Sequence, residues 1–274
     1  MISGQSNRTL AMITCETSKE IRVVYSAPVT RCVRRLRVFP PPQRGSQRVF
    51  DLKWQCTPEP SAARELSDEF GNRVLELRHD NIAREFRFQM TLTTARASCV
   101  VPGSTALPDT GLGAFLLPSA LCDLGYEIGG AALSLREASP HQLLPRLCAW
   151  THRALRYDPD STGIYTTASQ ALARGAGVCQ DYAHLMIALC RVLNIPARYV
   201  SGFNPAEGMM HAWVEALCGE EWHAWDPTHN RPTRPDCVFV ACGRDFRDVS
   251  PITGSYHGRS RAYLQVFCRT RVAS

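Results

Sequence analysis

The sequence predicts an α+β protein, with an N-terminal β-sandwich followed by a second domain of helices and antiparallel strands. Residues 10–97 alternate apolar and polar side chains with a period of two, as half-buried strands do. A segment rich in Gly and Pro follows, and beyond it apolar residues recur at helical spacing before short strands return. We therefore expect a β-sandwich domain at 1–100, a linker at 101–118 and the second domain at 119–274.

Strand-like segments fill the N-terminal region. Pro, Gly, Asn and Asp residues separate them, and Gly71 and Asn72 suit a turn with positive φ that leads into a strand. Several short strands at this spacing are typical of a sandwich of roughly 85 residues. The segments are EIRVVYSAPV, CVRRLRVFP, RVFDLKWQC, NRVLELRHD and EFRFQMTLTTARA.

Helical spacing marks the region after the linker. Two helices are predicted in SALCDLGYEIGGAALSLREA and HQLLPRLCAWTHRALRYD, with Ser119 and Ser139 as N-terminal caps. A short helix in TTASQALARGAG is predicted to begin after Thr166 or Thr167 and to end at the glycines behind it.

A further helix is predicted from Cys179 to about Leu193, because its apolar residues fall on one face. These residues are Ala183, Met186, Ile187, Cys190 and Leu193. Strands are predicted after it in NIPARYVSGF, HAWVEAL, EWHAWDPT, DCVFVAC and AYLQVFCRT.

The charge pattern predicts no nucleic-acid partner. The net charge of +6 comes from 31 basic and 25 acidic residues, and only Lys19 and Lys53 are lysines. Such a preference for arginine is typical of a genome rich in G and C. The arginines are scattered, except in TRCVRRLRV, where their alternation suits the solvent face of a strand better than a phosphate-binding groove.

Neither a signal peptide nor a run of eighteen apolar residues is visible, so we expect a cytoplasmic protein with no membrane partner. Thiols in that reducing environment usually stay reduced. The twelve cysteines include no CxxC, and the closest two, Cys237 and Cys242, match no zinc pattern. Most of them are predicted to fill the core.

Cys179 differs from the other cysteines in its position. It follows Gly175, Ala176 and Gly177, which allow a tight turn, and it stands where a helix begins. The free N–H groups and the dipole of a helix N-terminus favour a thiolate, which is the nucleophilic form of cysteine. The same N–H groups could stabilise an oxyanion. This position alone is a weak signal, because small residues are common at helix starts.

A histidine with an orienting carboxylate would strengthen the case. HAWVEALCGEEWHAWDPT is predicted to be a hairpin that pairs Leu217 with Trp222, which places His211 and Asp226 diagonally on one face. An imidazole held by a carboxylate is the arrangement needed to activate a thiol. For the other histidines we expect ordinary roles: packing for His184, and exposure or local hydrogen bonds for His223 and His229. Surface turns or helix faces, without a role, are expected for His79, His141, His152 and His257.

The motifs GVCQDYAHLMIALCRVLNIPARYVSGF, HAWVEA and WHAWDPT resemble the transglutaminase-like superfamily, in its bacterial branch. The β-rich N-terminal region, with VYSAPV and DEFGNRV, and the later segment VFVACGRDFRDVSP are also similar to that branch. The resemblance covers residues 10–270 and implies a papain-like, transglutaminase-core catalytic domain behind the sandwich. It implies that Cys179 is the nucleophile, His211 the general base and Asp226 the residue that orients His211.

The resemblance implies a thioester acyl-enzyme, with no cofactor. If water resolves the thioester, the protein is a cysteine peptidase or amidase; if an amine does, it is an acyltransferase or transamidase. Substrates would be peptides, isopeptides or small molecules with acyl and amine groups, whereas the oligomeric state is left open. An inactive binding module is disfavoured by the complete set of three residues.

No metal is expected. The sequence has no run of oxygen ligands for calcium, and a zinc site made of Cys179, His211 and Asp226 would lack a fourth ligand at recognisable spacing. A second oxyanion donor stays open among Gln180, Tyr157, Tyr165, Trp213 and Trp225, although both tryptophans are predicted to pack in the hairpin. Asp181, Glu215 and Arg198 are predicted to bind backbone groups or form ion pairs rather than bind substrate.

Overall fold

The computed structural model of the chain describes residues 12–97, 111–136 and 140–273. The first part contains strands only: β1 (Met12–Tyr25), β2 (Val29–Leu36), β3 (Gln43–Arg44), β4 (Gln47–Thr57), β5 (Ala62–Ser67), β6 (Arg73–Ile82) and β7 (Glu85–Ala97). Among the described residues, no helix is both long and apolar enough to cross a membrane.

Helices and strands alternate in the rest of the described chain. After a 3-10 helix (Leu112–Phe115) come α1 (Tyr126–Ser134), α2 (Pro140–Ala154), β8 (Arg156–Tyr157), α3 (Ala168–Arg174), β9 (Ala176–Gly177) and α4 (Cys179–Val192). They are followed by β10 (Ala197–Asn204), β11 (Met209–Cys218), β12 (Glu221–Asp226), β13 (Arg231–Pro232), β14 (Val238–Gly243), α5 (Phe246–Val249), β15 (Ile252–His257) and β16 (Ala262–Val272).

The N-terminal strands form two antiparallel sheets that pack face to face, as predicted. The alternation of β1 is visible in its burial, since every second residue from Cys15 to Tyr25 is buried. Phe86 and Phe88 on one sheet share a core with Leu75 and Leu77 on the other. Each such side chain contributes about 2 kcal/mol through removal of apolar surface from water.

The last two strands of the chain belong to this sandwich. The strand order is β16-β1-β7-β4-β3 in one sheet and β15-β2-β6-β5 in the other. In the first, β16 pairs along β1 from Cys15 opposite Val272 to Tyr25 opposite Ala262. The expected second domain at 119–274 therefore needs correction, because residues 252–272 complete the sandwich. Most of the predicted linker at 101–118 lies outside the described residues.

The second domain consists of an antiparallel sheet and helices. The sheet order is β13-β12-β11-β10-β14, and α4 packs on β10 and β11 with α1, α2 and α3 on its other sides. Helix α4 is buried from Gln180 to Arg191 rather than along one apolar face as predicted. The predicted stripe is part of that surface, but the polar residues between its members, such as His184, are also enclosed.

Helix boundaries agree with the sequence at α3 and differ at α1. The side chain of Thr167 accepts a hydrogen bond from Gln170 N, and Gly175 ends α3 in a left-handed conformation, with φ of 64°. The predicted cap Ser119 is wrong, because α1 begins after Gly125 and Ser119 instead accepts a hydrogen bond from Arg191. The predicted cap Ser139 lies outside the described residues.

Two amide side chains join the sandwich to the free edge of β14. The side-chain amide of Gln47 both donates to Phe239 O and accepts from Phe239 N, at 3.0 and 2.8 Å. Asn72 makes the same pair of bonds with the backbone of Cys242, at 2.7 and 2.8 Å. Each amide thus pairs with β14 as a neighbouring strand would, which satisfies an edge that would otherwise be open.

Candidate active site

Cys179 is the first residue of α4, and the turn before it is fixed by Asp181. The Asp181 Oδ2 atom accepts hydrogen bonds from Val178 N at 2.8 Å and from the Thr162 hydroxyl at 2.6 Å. A Cβ at Gly177 would lie 2.6 Å from the Cβ of Asp181, so only glycine fits beside this bond. The thiol of Cys179 is half-buried and stands at the positive end of the helix dipole.

His211 and Asp226 meet across the hairpin of β11 and β12. Leu217 pairs with Trp222, which is the predicted register, and the same register places the two side chains on one face. His211 Nε2 lies 2.9 Å from Asp226 Oδ2, and both side chains are almost fully buried. Since Nε2 is engaged by the carboxylate, Nδ1 is the ring nitrogen left to face Cys179.

The charge state of the pair follows from these contacts. Burial lowers the pKa of His211, but its interactions with Asp226 and with the Cys179 sulfur outweigh burial and raise this pKa to about 10. Burial alone would raise the pKa of Asp226, yet hydrogen bonds to His211 and His229 hold it below its ordinary value. The arrangement therefore favours an imidazolium beside an aspartate at neutral pH.

Two residues of this cluster were missed by the sequence analysis. His229 Nδ1 lies 2.8 Å from Asp226 Oδ2, and its Nε2 lies 2.9 Å from Glu207 Oε1. Glu207 Oε2 in turn lies 3.6 Å from His211 Nδ1. The local hydrogen bonding expected for His229 is present, but its partners were not foreseen. Their distance along the chain from the predicted residues was the signal that could have identified them. His229 is three residues after Asp226, and Glu207 is four residues before His211.

A cleft of about 590 Å³ gives access to Cys179 and His211. Its lining includes the polar side chains of Gln180 and Ser201, whereas most of the other lining residues are apolar. The apolar wall includes residues of both domains: Met209, Met210 and Phe246 from the second domain, and Val266, Phe267 and Cys268 from β16 of the sandwich. A separate cavity of about 550 Å³ on the sandwich is lined by neither Cys179 nor His211.

Among the open candidates for a second oxyanion donor, Gln180 is the best placed. It lines the cleft beside Cys179, although its side-chain amide donates to Ile164 O at 3.4 Å. Burial and the Cys179 charge both raise the pKa of Tyr157, whose side chain is half-exposed, whereas Tyr165 points into solvent. Trp213 and Trp225 pack against buried apolar residues, as predicted.

Asp181, Glu215 and Arg198 bind backbone groups or form ion pairs, as predicted. Asp181 binds the backbone as described above. Arg198 is fully buried and forms an ion pair with Glu215 at 2.6 Å, and Arg44 of the sandwich reaches the same carboxylate at 2.7 Å. This triad ties the two domains together, and none of its members lines the cleft.

Most remaining histidines also have local partners. His184 is buried, stacks on Tyr199 and accepts a hydrogen bond from Phe246 N, in agreement with a packing role. His152 Nδ1 lies 3.1 Å from Thr228 O. The expectation that His79 lies at the surface is wrong, because it is buried against Phe86 with its Nε2 3.0 Å from Pro58 O. The side chain of His141 is outside the described residues.

The other described cysteines behave as core residues. All eleven described cysteines are free thiols, and Cys99 lies outside the described residues. Burial raises the thiol pKa of several of them to about 12, which keeps them protonated and unreactive. These are Cys122, Cys148, Cys190 and Cys237.

Two family profiles match the chain in succession. The bacterial transglutaminase-like N-terminal region matches residues 18–94, and the transglutaminase-like superfamily core matches residues 131–227, which include Cys179, His211 and Asp226. The chain belongs to the transglutaminase-like superfamily. The predicted family and the predicted α+β fold are thus confirmed, and membership in this superfamily supports a thiol enzyme in the broad sense.

Relatives of this transglutaminase-like chain include proteins of mycobacteria. It is 36% identical over 172 residues to the uncharacterized protein ML0607 of Mycobacterium leprae, covering 58% of this chain and 61% of the relative. It is 31% identical over 135 residues to the uncharacterized protein Rv2569c of Mycobacterium tuberculosis, covering 43% of each. The chain therefore spans less than two thirds of the length of either relative.

A solved structure from Cytophaga hutchinsonii, provisionally assigned as a cysteine protease, has a similar fold over nearly the whole chain. The TM-score is 0.76 at 25% sequence identity, and the match covers 95% of this chain and 91% of that one. The likeness extends through both domains, so the sandwich and the transglutaminase-like core recur together in another chain.

Proposed function

We propose that the chain is a cysteine peptidase or amidase, in which Cys179 is the nucleophile, His211 the general acid and base, and Asp226 the residue that orients His211. The observation that carries this proposal is the buried pair of His211 and Asp226, which opens onto the thiol at the N-terminus of α4. Nucleophile, base and orienting carboxylate are the three parts that thiol catalysis requires.

The first half of the reaction forms a thioester. The Cys179 thiolate attacks the amide carbonyl carbon, a C–S bond forms, and the carbonyl π electrons move to oxygen. The backbone N–H groups of Cys179 and Gln180 head α4 without intrahelical acceptors and stabilise that oxyanion. As the carbonyl re-forms, the C–N bond breaks and the leaving nitrogen takes the proton from His211 Nδ1.

The second half regenerates the Cys179 thiolate and the protonated His211. A water molecule gives its proton to His211 Nδ1 while its oxygen bonds to the acyl carbon, and the C–S bond then breaks. An amine in place of water would form a new amide, which makes acyl transfer the alternative outcome of the same thioester. The likeness to the Cytophaga hutchinsonii structure supports hydrolysis.

The lining of the cleft supports an apolar substrate group next to the cleaved bond. Met209, Met210 and Phe246 line the same cleft as Cys179 and His211, and so does Phe267 of the sandwich. A cavity of about 590 Å³ is within the range of ligand pockets. We therefore propose that the acyl side carries an apolar side chain, with the sandwich forming part of its pocket.

Trapping the thioester tests the nucleophile. The full chain is mixed with the p-nitrophenyl ester of acetylphenylalanine, quenched in acid, and digested for mass spectrometry. The expected result is an acetylphenylalanyl adduct on Cys179 that is absent in Cys179→Ser. An adduct on another cysteine, or an equal adduct in Cys179→Ser, would contradict the proposal.

Competition between acceptors separates hydrolysis from transfer. The same ester is turned over with increasing concentrations of glycine amide, and the products are measured by chromatography. Hydrolysis predicts that free acetylphenylalanine dominates and that the turnover rate does not depend on the amine. An amide product whose yield rises to replace the free acid would favour the acyltransferase.

A further inference from the structure

Glu207, His211 and His229 form a group of three potential metal ligands, of which His211 lines the cleft. Each offers one ligand atom, and the three atoms lie within 4.8 Å of one another. His229 Nε2 is 2.9 Å from Glu207 Oε1, and His211 Nδ1 is 3.6 Å from Glu207 Oε2. Around a zinc ion with bonds of about 2.0 Å, ligand atoms lie about 3.3 Å apart, so only small movements are needed.

The carboxylate of Asp226 holds both imidazoles from behind. Its Oδ2 atom lies 2.9 Å from His211 Nε2 and 2.8 Å from His229 Nδ1. Histidines that bind a metal usually donate their other ring N–H to a carboxylate, which fixes the ring and raises its basicity. Asp226 supplies this support to both rings at once, leaving His211 Nδ1 and His229 Nε2 directed at Glu207.

An entry path and room for adjustment are also present. The side chains of Glu207 and His229 are 30% and 32% exposed, whereas that of His211 is 1% exposed. Glu207 lies in the turn between β10 and β11, outside both strands, so rotation of its partly exposed side chain disturbs neither strand. An ion can therefore arrive from solvent and reach the buried ring.

We propose that this group binds Zn²⁺ as an inhibitory ion, with ligands His211 Nδ1, His229 Nε2 and Glu207, and water in the fourth position. Two imidazoles and a carboxylate are a common zinc ligand set. Binding releases the proton of His211 Nδ1 to solvent and occupies the nitrogen that must exchange a proton during catalysis. The inhibitory consequence rests on the proposed role of His211, but the binding itself does not. The site differs from the set of Cys179, His211 and Asp226 that the sequence analysis disfavoured.

Calorimetric titration of the full chain with ZnCl2 tests the binding. The expected result is one site of micromolar or tighter Kd, weakened at least about tenfold in His229→Ala and in Glu207→Gln. The matched control is His223→Ala, which removes a neighbouring histidine outside the group and should leave Kd unchanged. Circular dichroism confirms that the variants fold. Equal affinity in wild type, His229→Ala and Glu207→Gln would overturn the site.

Cys179→Ser separates this proposal from the proposed function. The variant should bind Zn²⁺ at least as tightly as the wild type, because the thiol is not a ligand in this set and its removal takes away a charge that favours a proton on His211 Nδ1. A large loss of affinity would assign the ion to the thiol and overturn the ligand set.

The inhibitory effect is measured by alkylation of Cys179 with iodoacetamide. Saturating Zn²⁺ should slow alkylation at least about tenfold in the wild type, reversibly with EDTA, and much less in His229→Ala. If Cys179 proves unreactive even without Zn²⁺ while calorimetry still finds the site, the proposed function fails and the metal site stands. If alkylation is fast and insensitive to bound Zn²⁺, the inhibitory role is overturned.

Discussion

Nε2 of His211 lies 2.9 Å from Oδ2 of Asp226, and side-chain exposures of 1% and 2% remove both groups from water. A hydrogen bond between an ionisable donor and acceptor is stronger in such surroundings than at the surface. The bond fixes which nitrogen of His211 faces the cleft and keeps the imidazole charged. The reactivity of Cys179 therefore depends on a contact that lies behind the cleft wall.

Removing His211 should change the pH dependence of Cys179 alkylation. Interactions with Asp226 and Cys179 raise the pKa of His211 to about 10 against the effect of burial, so its positive charge persists throughout neutral pH. Alkylation of the wild type by iodoacetamide should therefore vary little between about pH 7 and 9. In His211→Ala the rate at pH 7 should fall at least about tenfold and rise steeply with pH.

The measurement is the rate of iodoacetamide adduct formation at Cys179, followed by peptide mass spectrometry. His223→Ala serves as the control, because it removes a histidine of the adjacent strand without touching the pair. The same pH profile in His211→Ala and the wild type would contradict an ion pair between Cys179 and His211.

Asp226→Asn should retain the fold and lose most of the activity. The amide keeps the shape of the carboxylate but not its charge, so the pKa of His211 should fall from about 10. The kcat for ester or peptide cleavage should drop roughly 10³-fold, because the imidazole loses its orientation and charge stabilisation. Nitrogen-15 NMR of the labelled imidazoles reports the pKa, and an unchanged value would show that Asp226 is not its cause.

Glu215→Gln should destabilise the folded state without altering the chemistry of the cleft. Two guanidinium groups, of Arg198 and Arg44, share this buried carboxylate, and the substitution leaves both without a counter-charge. Loss of one partner from a buried ion pair costs about 3–5 kcal/mol. Urea denaturation measures the loss, with Asp51→Asn as the control, since the exposed pair of Asp51 and Lys53 contributes at most about 0.5 kcal/mol.

His184 should make the protein sensitive to acid. Burial lowers its pKa from 6.5 to about 4, although Asp245 partly offsets this. Between these values the unfolded chain binds a proton that the folded chain does not, so stability falls as pH drops through this window and is fully present above it. The contribution is about 3 kcal/mol.

Urea midpoints at pH 7 and pH 4.5 give the size of this effect. His184→Phe removes the titrating group and should flatten the pH dependence, even if its stability at pH 7 differs. His257→Ala, at an exposed position, should follow the wild-type slope. Equal slopes in His184→Phe and the wild type would show that another group titrates.

The sequence could predict those parts of the site that depend on the alternation of side chains along a strand and on the spacing of residues close together in the chain. The face shared by His211 and Asp226 follows from the register of Leu217 and Trp222, because side chains alternate along strands. The start of α4 at Cys179 follows from the glycines before it. The roles of Glu207 and His229 could not be predicted. They depend on how the turn between β10 and β11, which carries Glu207, lies against the segment after β12, which carries His229.

The fold beyond the local elements was less predictable for the same reason. Short strands such as β15 carry no signal that identifies their partner, so residues 252–272 were assigned to the nearer domain. Their pairing with β1 and β2 is set by the remaining free edges of the sandwich. Likewise, α4 is buried on all sides because helices α1, α2 and α3 and the sheet surround it. The periodicity of apolar residues within α4 gives no information about these neighbours.

The pairing of β16 with β1 has a consequence for synthesis of the chain in the cell. Cys15 emerges from the ribosome before the whole second domain, whereas its partner Val272 emerges after it. The sheet edge of β1 therefore waits through translation of the whole second domain, which has time to fold first. The wall that Phe267 adds to the cleft forms only after the second domain has been synthesised, so a nascent chain that has not yet reached β16 holds Cys179 in an unfinished pocket.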